Sequence, residues 1–181
     1  DGARDEAARV VADARAAYVA TYDAANQAQQ IEALRLTDGK PLWRVAVDPT
    51  NGILGLTGSG GVLAGTQTAL IALDVASGKT LWTLGRTSGA AGVAVRVDGP
   101  PPIANANTLY FMASTGNTYP QQPMVYAIDA TTGATRWTTH ALSQVDVTLR
   151  WKNGVVYILG SDFGIVALDA ATGKELWKHQ G

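Results

Sequence analysis

The sequence of 181 residues contains no cysteine. This absence excludes disulfide bonds, thiolate zinc sites, cysteine nucleophiles and thiol redox pairs. No apolar run approaches the roughly 20 residues of a membrane-spanning helix. The N-terminus also lacks the basic region followed by an apolar region that a signal peptide would show. We therefore predict no membrane span in this chain, and we expect any export signal or anchor to have been removed or to lie outside this sequence.

A charge excess of either sign is also missing. The chain has 14 Lys and Arg against 15 Asp and Glu, which gives a net charge of −1. Binding to a phosphate backbone needs a basic patch or stripe, so we predict no nucleic-acid partner. Hydrophobic residues make up 46% of the chain, which is typical of a globular protein with a substantial core.

A repeated phrase dominates the rest of the sequence. It occurs as IEALRLTDGKPLW (31–43), LIALDVASGKTLW (70–82), VYAIDATTGATRW (125–137) and IVALDAATGKELW (165–177). An alternating apolar run is typical of a β-strand, and the Ser/Thr/Asp-Gly pair that follows is typical of a tight turn. Each copy therefore predicts a strand, a turn and a returning strand. A glycine stands four residues before a tryptophan in every copy, in the pairs Gly39–Trp43, Gly78–Trp82, Gly133–Trp137 and Gly173–Trp177.

Two further strands are predicted before each phrase, which makes four strands per unit. The nearer one is rich in β-branched and aromatic residues, as in TLYFMAS (108–114) and GVVYILGS (154–161), and the earlier one is weaker, as in VDVTLRW (145–151). Four strands in about 40 residues are typical of a β-propeller blade. We predict an all-β fold, a propeller or half-propeller with four four-stranded blades. We expect one domain over residues 1–181, with blades at about 8–47, 53–86, 93–140 and 145–180.

Two stretches make this assignment harder. The segment DEAARVVADARAAYVATYDAANQAQQ (5–30) is rich in alanine and favours a helix by propensity alone. In register with the other units it occupies strand positions, and we give precedence to the repeat. The Pro- and Asn-rich stretch GPPPIANANT (99–108) is interpreted as a loop.

The pattern Ala-x-Asp-x-x-Thr-Gly-x-x-x-Trp resembles the tryptophan-docking motif of the PQQ-type β-propeller repeat family. The last three copies follow it closely, whereas the first carries Arg35 and Asp38 in place of the Asp and the Thr. The resemblance implies that each tryptophan packs flat between neighbouring blades, against a small alanine and the glycine peptide. It makes the four tryptophans and four glycines structural docking residues.

The same family contains enzymes and non-enzymes. Its quinoprotein alcohol dehydrogenases, of about eight blades, bind PQQ above a calcium ion and use an adjacent-cysteine disulfide, a catalytic Asp, and Glu and Asn as calcium ligands. This chain has no cysteine, and none of its three glutamates, Glu6, Glu32 and Glu175, matches that metal site. We therefore predict no quinoprotein catalysis, no cofactor and no metal.

Other candidate sites are weaker. His140 and His179 follow motif tryptophans on separate blades without a third ligand. The glycine-rich GLTGSGG (55–61) lies between two strands and not before a helix, so it does not predict a phosphate site. The recurring carboxylates are expected to cap turns, one in each blade, and no catalytic residue is predicted. They are Asp74, Asp129 and Asp169.

Three polar insertions are predicted to open on one face of the propeller: DAANQAQQ (23–30), GRTSGAAG (85–92) and STGNTYPQQP (114–123). Long polar loops on one face of a rigid scaffold often form a binding surface. The alternative is that the scaffold simply tolerates these insertions. The candidate contact residues are Arg86, Asn117, Tyr119, Gln121 and Gln122.

Four blades of this kind would form an incomplete ring with an apolar surface at each end, which needs a cover. The chain is then half of a longer propeller, or it is completed by a partner protein or a second copy, or it closes as a four-bladed ring. Non-catalytic members of the family include an outer-membrane assembly lipoprotein that acts as a protein-binding scaffold, and extracytoplasmic domains attached to kinases. We predict an extracytoplasmic, non-enzymatic scaffold for protein–protein interaction.

The alternative is an extracytoplasmic sensor that binds a small ligand in the axial funnel, and a fragment of a quinoprotein dehydrogenase ranks third. A sensor should have convergent polar residues on its innermost strands. Those strands are mostly apolar or small, apart from Arg96, Arg150 and Trp151.

Overall fold

The computed structural model describes residues 10–25, 28–47, 50–57, 60–66, 68–85, 95–97, 102–105, 107–115, 123–140, 148–160 and 164–179. All regular secondary structure in these ranges is β-strand. The strands are β1 (Val11–Ala12), β2 (Ala16–Asp23), β3 (Ala28–Arg35), β4 (Pro41–Val47), β5 (Thr50–Leu56), β6 (Gly61–Thr66), β7 (Ala69–Asp74), β8 (Thr80–Gly85), β9 (Val95–Val97), β10 (Ile103–Asn105), β11 (Thr108–Thr115), β12 (Pro123–Asp129), β13 (Thr135–His140), β14 (Thr148–Lys152), β15 (Val155–Leu159), β16 (Ile165–Asp169) and β17 (Glu175–His179).

The strands form four antiparallel sheets that follow one another along the chain. Sheet 1 is β1–β4, sheet 2 is β5–β8, sheet 3 contains β9–β13 and sheet 4 is β14–β17. In sheets 1, 2 and 4 all strands pair in sequence order, and in sheet 3 the strands β10–β13 do so, as expected for a propeller blade. The predicted all-β architecture of four blades is therefore confirmed.

Sheet 3 differs from the others at its innermost position. There β9 pairs with the end of β11 and β10 pairs with its beginning, so two short strands replace one. The interpretation of residues 99–108 as a loop was therefore wrong for β10 and for Thr108, which begins β11. Ile103 packs against a hydrophobic cluster, and this burial together with the ladder hydrogen bonds outweighs the turn preference of the neighbouring Pro and Asn residues.

Within the alanine-rich N-terminal segment, the described residues form strands at 11–12, 16–23 and 28–30, as the repeat register predicted. Asp13 makes the turn between β1 and β2: its Oδ1 accepts the backbone N–H groups of Arg15 (2.7 Å) and Ala16 (2.9 Å), and its Oδ2 accepts the Tyr18 hydroxyl (2.8 Å). Ala16 and Tyr18 are buried on one face of β2. This burial overrides the helix propensity of alanine, which is a weak preference.

The predicted loop at residues 23–30 is shorter than expected. Asp23 pairs with Ala28, and Gln29 and Gln30 already belong to β3. Residues 24–27 make the connection, and residues 26–27 lie outside the described part of the chain. The glutamines pair across the ladder with Tyr22 and Thr21, so their polarity reflects a half-exposed strand and not a loop.

The described residues form three hydrophobic clusters, one between each two successive sheets. Side chains alternate along a strand, so every sheet has two faces. We call the face on the side of the following sheet the forward face and the opposite one the rear face, and we use the same terms for the first and last sheets. In sheet 3, Tyr110 and Ala127 belong to the cluster shared with sheet 4. Their neighbours Phe111 and Ile128 belong to the cluster shared with sheet 2. The clusters therefore join the sheets in series.

Candidate interaction surfaces

The turns between the third and fourth strands of sheets 2, 3 and 4 share one geometry. In sheet 3, Asp129 Oδ1 accepts the backbone N–H groups of Thr131 (2.9 Å) and Thr132 (3.0 Å), and the N–H of Gly133 donates to the Asp129 carbonyl (2.8 Å). Asp74 and Asp169 make equivalent bonds. The predicted turn-capping role of the repeated aspartates is thus confirmed.

These hydrogen bonds stabilise the ionised carboxylates. The Arg136 guanidinium and the Thr131 and Thr132 amides lower the pKa of Asp129 to about 2. Bonds from the Ser77 hydroxyl and amide lower the pKa of Asp74, and those from Thr172 lower the pKa of Asp169. The three aspartates are therefore charged turn caps, and each lies in its own sheet.

The tryptophan of each of the first three sheets lies against the turn glycine of the next sheet. A Cβ built on Gly78 would lie 2.7 Å from the indole of Trp43, and one on Gly133 would lie 2.8 Å from the indole of Trp82. For Gly173 and Trp137 the distance is 2.6 Å. Contacts this short cannot accommodate a Cβ, so the indole takes the space that any other residue type would fill.

The same indoles donate hydrogen bonds to the turn that they cover. The Nε1–H groups of Trp43, Trp82 and Trp137 donate to the carbonyls three residues before these glycines, each at 3.0 Å. A buried tryptophan N–H usually needs such an acceptor. Each of the first three sheets thus contributes one aromatic donor, and the sheet after it contributes one glycine and one acceptor. The acceptors are Val75, Ala130 and Ala170.

The last tryptophan and the first turn glycine do not make this contact in the described structure. Trp177, in sheet 4, is 48% exposed, whereas Trp82 and Trp137 are 7% and 9% exposed. Gly39, in sheet 1, has φ +67° like the three covered glycines, yet nothing described lies within 4 Å of its hypothetical Cβ. Leu36, which holds the position of the three acceptors, is 53% exposed.

A polar network covers part of the rear face of sheet 1. Glu32 is 8% exposed. Its Oε1 accepts hydrogen bonds from Thr21 Oγ1 (2.9 Å) and Gln30 Nε2 (2.8 Å), and its Oε2 accepts one from Arg44 Nε (3.0 Å). Burial raises the pKa of Glu32, but the bonds from Thr21 and Arg44 outweigh it, so the net pKa is lowered. Nothing in the sequence indicates this network, because its members lie on three different strands. There Glu32 is only a glutamate that does not match a metal site.

The predicted loop contacts Arg86, Asn117, Tyr119, Gln121 and Gln122 all lie outside the described residues.

The residues considered for sensing or metal binding lie on four different strands of the described part of the chain. Arg150 lies on β14 and donates to the carbonyl of its neighbour Leu149 (2.9 Å). Trp151 follows it, and Arg96 lies on β9 of another sheet. His140 and His179 end the outer strands β13 and β17 and are exposed.

A quinone and calcium site would need converging carboxylate and amide oxygens. Both oxygens of Glu32 are used within its own network, Glu175 is exposed on an outer strand, and Glu6 lies outside the described residues. Over the described ranges, no group of three or more His, Asp or Glu side chains could hold a metal ion. The described residues therefore do not fit that cofactor. No helix in this part of the chain is long and apolar enough to span a membrane.

Comparison with known proteins gives a consistent result. A family model described as outer membrane protein assembly factor BamB matches residues 4–123 and 99–181. The chain is 28% identical over 160 residues to the outer membrane protein assembly factor BamB of Yersinia pestis, a match that covers 83% of this chain and 39% of that protein.

Two solved structures show the same arrangement of sheets. BamB from Moraxella catarrhalis superposes with a TM-score of 0.56 at 19% identity, over 94% of this chain and 60% of that one. Quinohemoprotein alcohol dehydrogenase from Comamonas testosteroni superposes with a TM-score of 0.61 at 20% identity, over 91% of this chain and 33% of that one. At these identities the likeness concerns the fold alone. The chain spans less than two thirds of the length of each of these proteins.

Proposed function

Since this chain belongs to the family of outer membrane protein assembly factor BamB, we propose that it is a non-enzymatic scaffold that binds proteins outside the cytoplasm. The match of the family model to nearly the whole chain carries this proposal. The relative from Yersinia pestis, which is named an assembly factor of the outer membrane, supports both the protein-binding role and the extracytoplasmic location. The class of partner that this name suggests is a protein of the outer membrane or of its assembly machinery.

The construction of the blades is consistent with a scaffold. The recurring residues of the motif have structural roles in the backbone ladders, the capped turns and the tryptophan contacts. The loops between strands are therefore the part of the scaffold that can carry binding residues. The binding residues that we propose are the loop residues Arg86, Asn117, Tyr119, Gln121 and Gln122. Their polar and aromatic side chains are suited to contacts with a protein.

A binding experiment with a defined probe tests the proposal. A purified outer-membrane β-barrel protein is diluted from urea over the immobilised chain, and its binding is measured by interferometry. We expect saturable binding that weakens at least about tenfold when Arg86, Asn117 and Tyr119 are changed to Ala, since aromatic and Arg side chains dominate many interfaces. A matched variant with the exposed turn residues Lys79 and Lys174 changed to Ala should bind as the unaltered chain does.

Three results would count against parts of the proposal. No saturable binding to the barrel protein would reject this class of partner. Equal loss in the loop variant and the lysine variant would reject the loop surface. Reduction of an electron-acceptor dye in the presence of an alcohol, PQQ and Ca²⁺ would reject the non-enzymatic role.

A further inference from the structure

Sheet 2 is shorter than its two neighbours at one end, where the second strand of each sheet connects to the third. We call this end the loop end. Counted from the alanine opposite each motif tryptophan, the second ladder pair toward the loop end is the last one in the described ladder of sheet 2, Gly65–Leu70. Sheet 1 continues for three more pairs, as far as Asp23–Ala28. Sheet 3 continues for two more pairs, as far as Ser114–Pro123. The hairpins β2–β3 and β11–β12 therefore stand on either side of the turn between β6 and β7.

The described residues thus form a groove whose floor is the β6–β7 turn and whose walls are these two hairpins. Thr66 holds the floor in shape, because its Oγ1 accepts the N–H groups of Thr68 (3.2 Å) and Ala69 (2.9 Å). On the side of the innermost strands β9 closes the groove, since the Val95 N–H donates to the Thr68 carbonyl (2.8 Å). A Cβ on Gly85, which ends β8, would lie 2.5 Å from the same carbonyl oxygen. The floor is therefore closely packed.

The distance between the walls corresponds to one layer of extended chain. Sheets that pack face to face lie about 10 Å apart, so sheets 1 and 3 stand about 20 Å apart with sheet 2 between them. At about 3.3 Å per residue, the three extra pairs carry the hairpin of sheet 1 about 10 Å past the last pair of sheet 2. An extended segment can take the place of the missing layer there.

Tyr22 stands on the sheet 1 wall of this groove and belongs to none of the described hydrophobic clusters. It lies on the forward face, four residues after Tyr18, and is 61% exposed, whereas Tyr18 is 1% exposed. At the same level sheet 3 has Ser114, so the repeating fold does not require an aromatic ring at this position. A tyrosine that a strand holds in place offers a large contact area at a low cost in conformational entropy.

The groove also differs in charge from the opposite end of the sheets. There the turns between third and fourth strands carry both signs of charge, in Asp38, Lys40, Asp74, Lys79, Asp129, Asp169 and Lys174. The side chains that the described groove presents are uncharged, as in Tyr22 and Thr68, and Asp23 at the rim already accepts the Ala25 N–H (2.9 Å). A charge brought into such a groove would lose water without gaining a partner. The lining therefore suits a segment with few charges.

We propose that this groove binds one extended segment of a partner protein, that the segment carries few charges, and that Tyr22 is its main anchor. This binding mode rests on the scaffold function proposed above and adds the site and the chemistry of the partner. A strand of an outer-membrane β-barrel fits the description, because its apolar lipid-facing residues alternate with polar ones. Arg86 directly follows Gly85 at the floor, and residues 116–122 connect the two strands of the sheet 3 wall. The groove thus lies between the loop residues that we propose for binding.

The first test uses the barrel protein diluted from urea over the immobilised chain, as above. Tyr22→Ala should raise the dissociation constant at least about tenfold, as truncation of an aromatic anchor does, and Tyr22→Phe should bind nearly as the unaltered chain does. The matched control is Trp151→Ala, at an exposed aromatic residue of β14, and it should leave binding unchanged. Raising the salt from about 0.1 M to about 1 M shortens the Debye length from about 10 Å to about 3 Å. The ratio of the dissociation constants of Tyr22→Ala and the unaltered chain should stay the same, because the contact involves no charge.

Crosslinking locates the bound segment without relying on loss of binding. A chain with a photoreactive benzophenone side chain in place of Tyr22 should crosslink to the bound barrel protein. A chain with the same group in place of Leu36 should not, since Leu36 is similarly accessible, at 53% exposed, but lies at the opposite end of the sheets.

The outcomes separate the groove from the scaffold function. Binding that Tyr22→Ala leaves unchanged, an equal loss in Tyr22→Ala and Trp151→Ala, or equal crosslinking from the two ends would overturn the groove as the binding site. In each of these cases the chain still binds the barrel protein, and the scaffold function stands. If the unaltered chain binds no barrel protein, the proposed class of partner is rejected and the groove with it.

Discussion

The indole of Trp137 occupies the space beside Gly173 where a side chain would begin, and a Cβ on that glycine would lie 2.6 Å from the ring. Gly173 also has φ +71°, a conformation that L-residues with a Cβ adopt at a cost. Two independent reasons therefore require glycine here, one from its own backbone and one from the neighbouring sheet. The two can be measured separately, because Gly39 shares the backbone conformation and has no indole beside it in the described part of the chain.

Gly173→Ala should destabilise the fold more than Gly39→Ala. The backbone contribution, common to both, is about 1–2 kcal/mol, and the clash with Trp137 should add about 1–3 kcal/mol for an overpacked contact. Urea unfolding of both variants measures the difference. Equal losses in the two variants would show that the indole contributes nothing to the requirement for glycine.

Trp137→Ala and Trp177→Ala should have very different effects on the stability of the single chain. Trp137 is buried and bonded to the next turn, so its truncation should lower the unfolding free energy by about 3–5 kcal/mol. Trp177 is half exposed, and its truncation should cost less than about 1 kcal/mol. Both are measured by chemical denaturation at a concentration at which the chain is monomeric. A large loss for Trp177→Ala under these conditions would mean that its indole is already covered within one chain.

Arg44→Ala should destabilise the protein through the buried Glu32 carboxylate. The variant removes a 3.0 Å bond to a carboxylate that stays largely buried. Because Arg44 itself is mostly exposed, we expect the unfolding free energy to fall by only about 1 kcal/mol at pH 7. Because the pKa of Glu32 is lowered on folding, its ionised form is stabilising above about 4.5, and this contribution disappears as the pH falls through the folded value. The loss should therefore shrink as the pH falls below 4.5 and through the lowered folded pKa of Glu32.

The control for this measurement is Arg35→Ala. It breaks an ion pair of the same 3.0 Å length between partly exposed partners, Arg35 and Asp38, and it should have almost no effect. If the two arginine variants behave alike at neutral pH, the Glu32 network adds no stability.

Asp129→Asn should reduce the loss of stability that the protein shows when the pH is lowered from 4 to 2. The pKa of Asp129 is lowered from its ordinary value of 3.8 to about 2, so its ionised form stabilises the fold above pH 4, and this stability is lost as the pH falls from about 4 to 2. Thermal melts at pH 7, 4, 3 and 2 should show the variant less stable than the unaltered protein at pH 7 and nearly equal to it at pH 2. Asp74 and Asp169 titrate in both proteins and cancel in the difference. A constant gap at every pH would contradict the assignment.

The sequence alone determined the repeating unit of this protein. The strand, turn and strand of each motif depend on alternation, on glycine and on a capping carboxylate, all of which act within a few residues. Four copies in phase predicted strands even where alanine favoured a helix, and β1 and β2 follow that prediction. The same regularity gives every unit a glycine four residues ahead of a tryptophan, a spacing that the sequence displays by itself.

The tertiary structure decided everything that depends on which sheet lies next to which. It made Ile103 part of a strand, because the neighbouring cluster buries it, and it joined Glu32 to Thr21, Gln30 and Arg44 across three strands. It also separated three covered tryptophan–glycine contacts from the exposed Trp177 and the open Gly39. Similar local sequences cannot make that distinction, because the burial of a side chain depends on the surface that a distant part of the chain, or another molecule, brings against it.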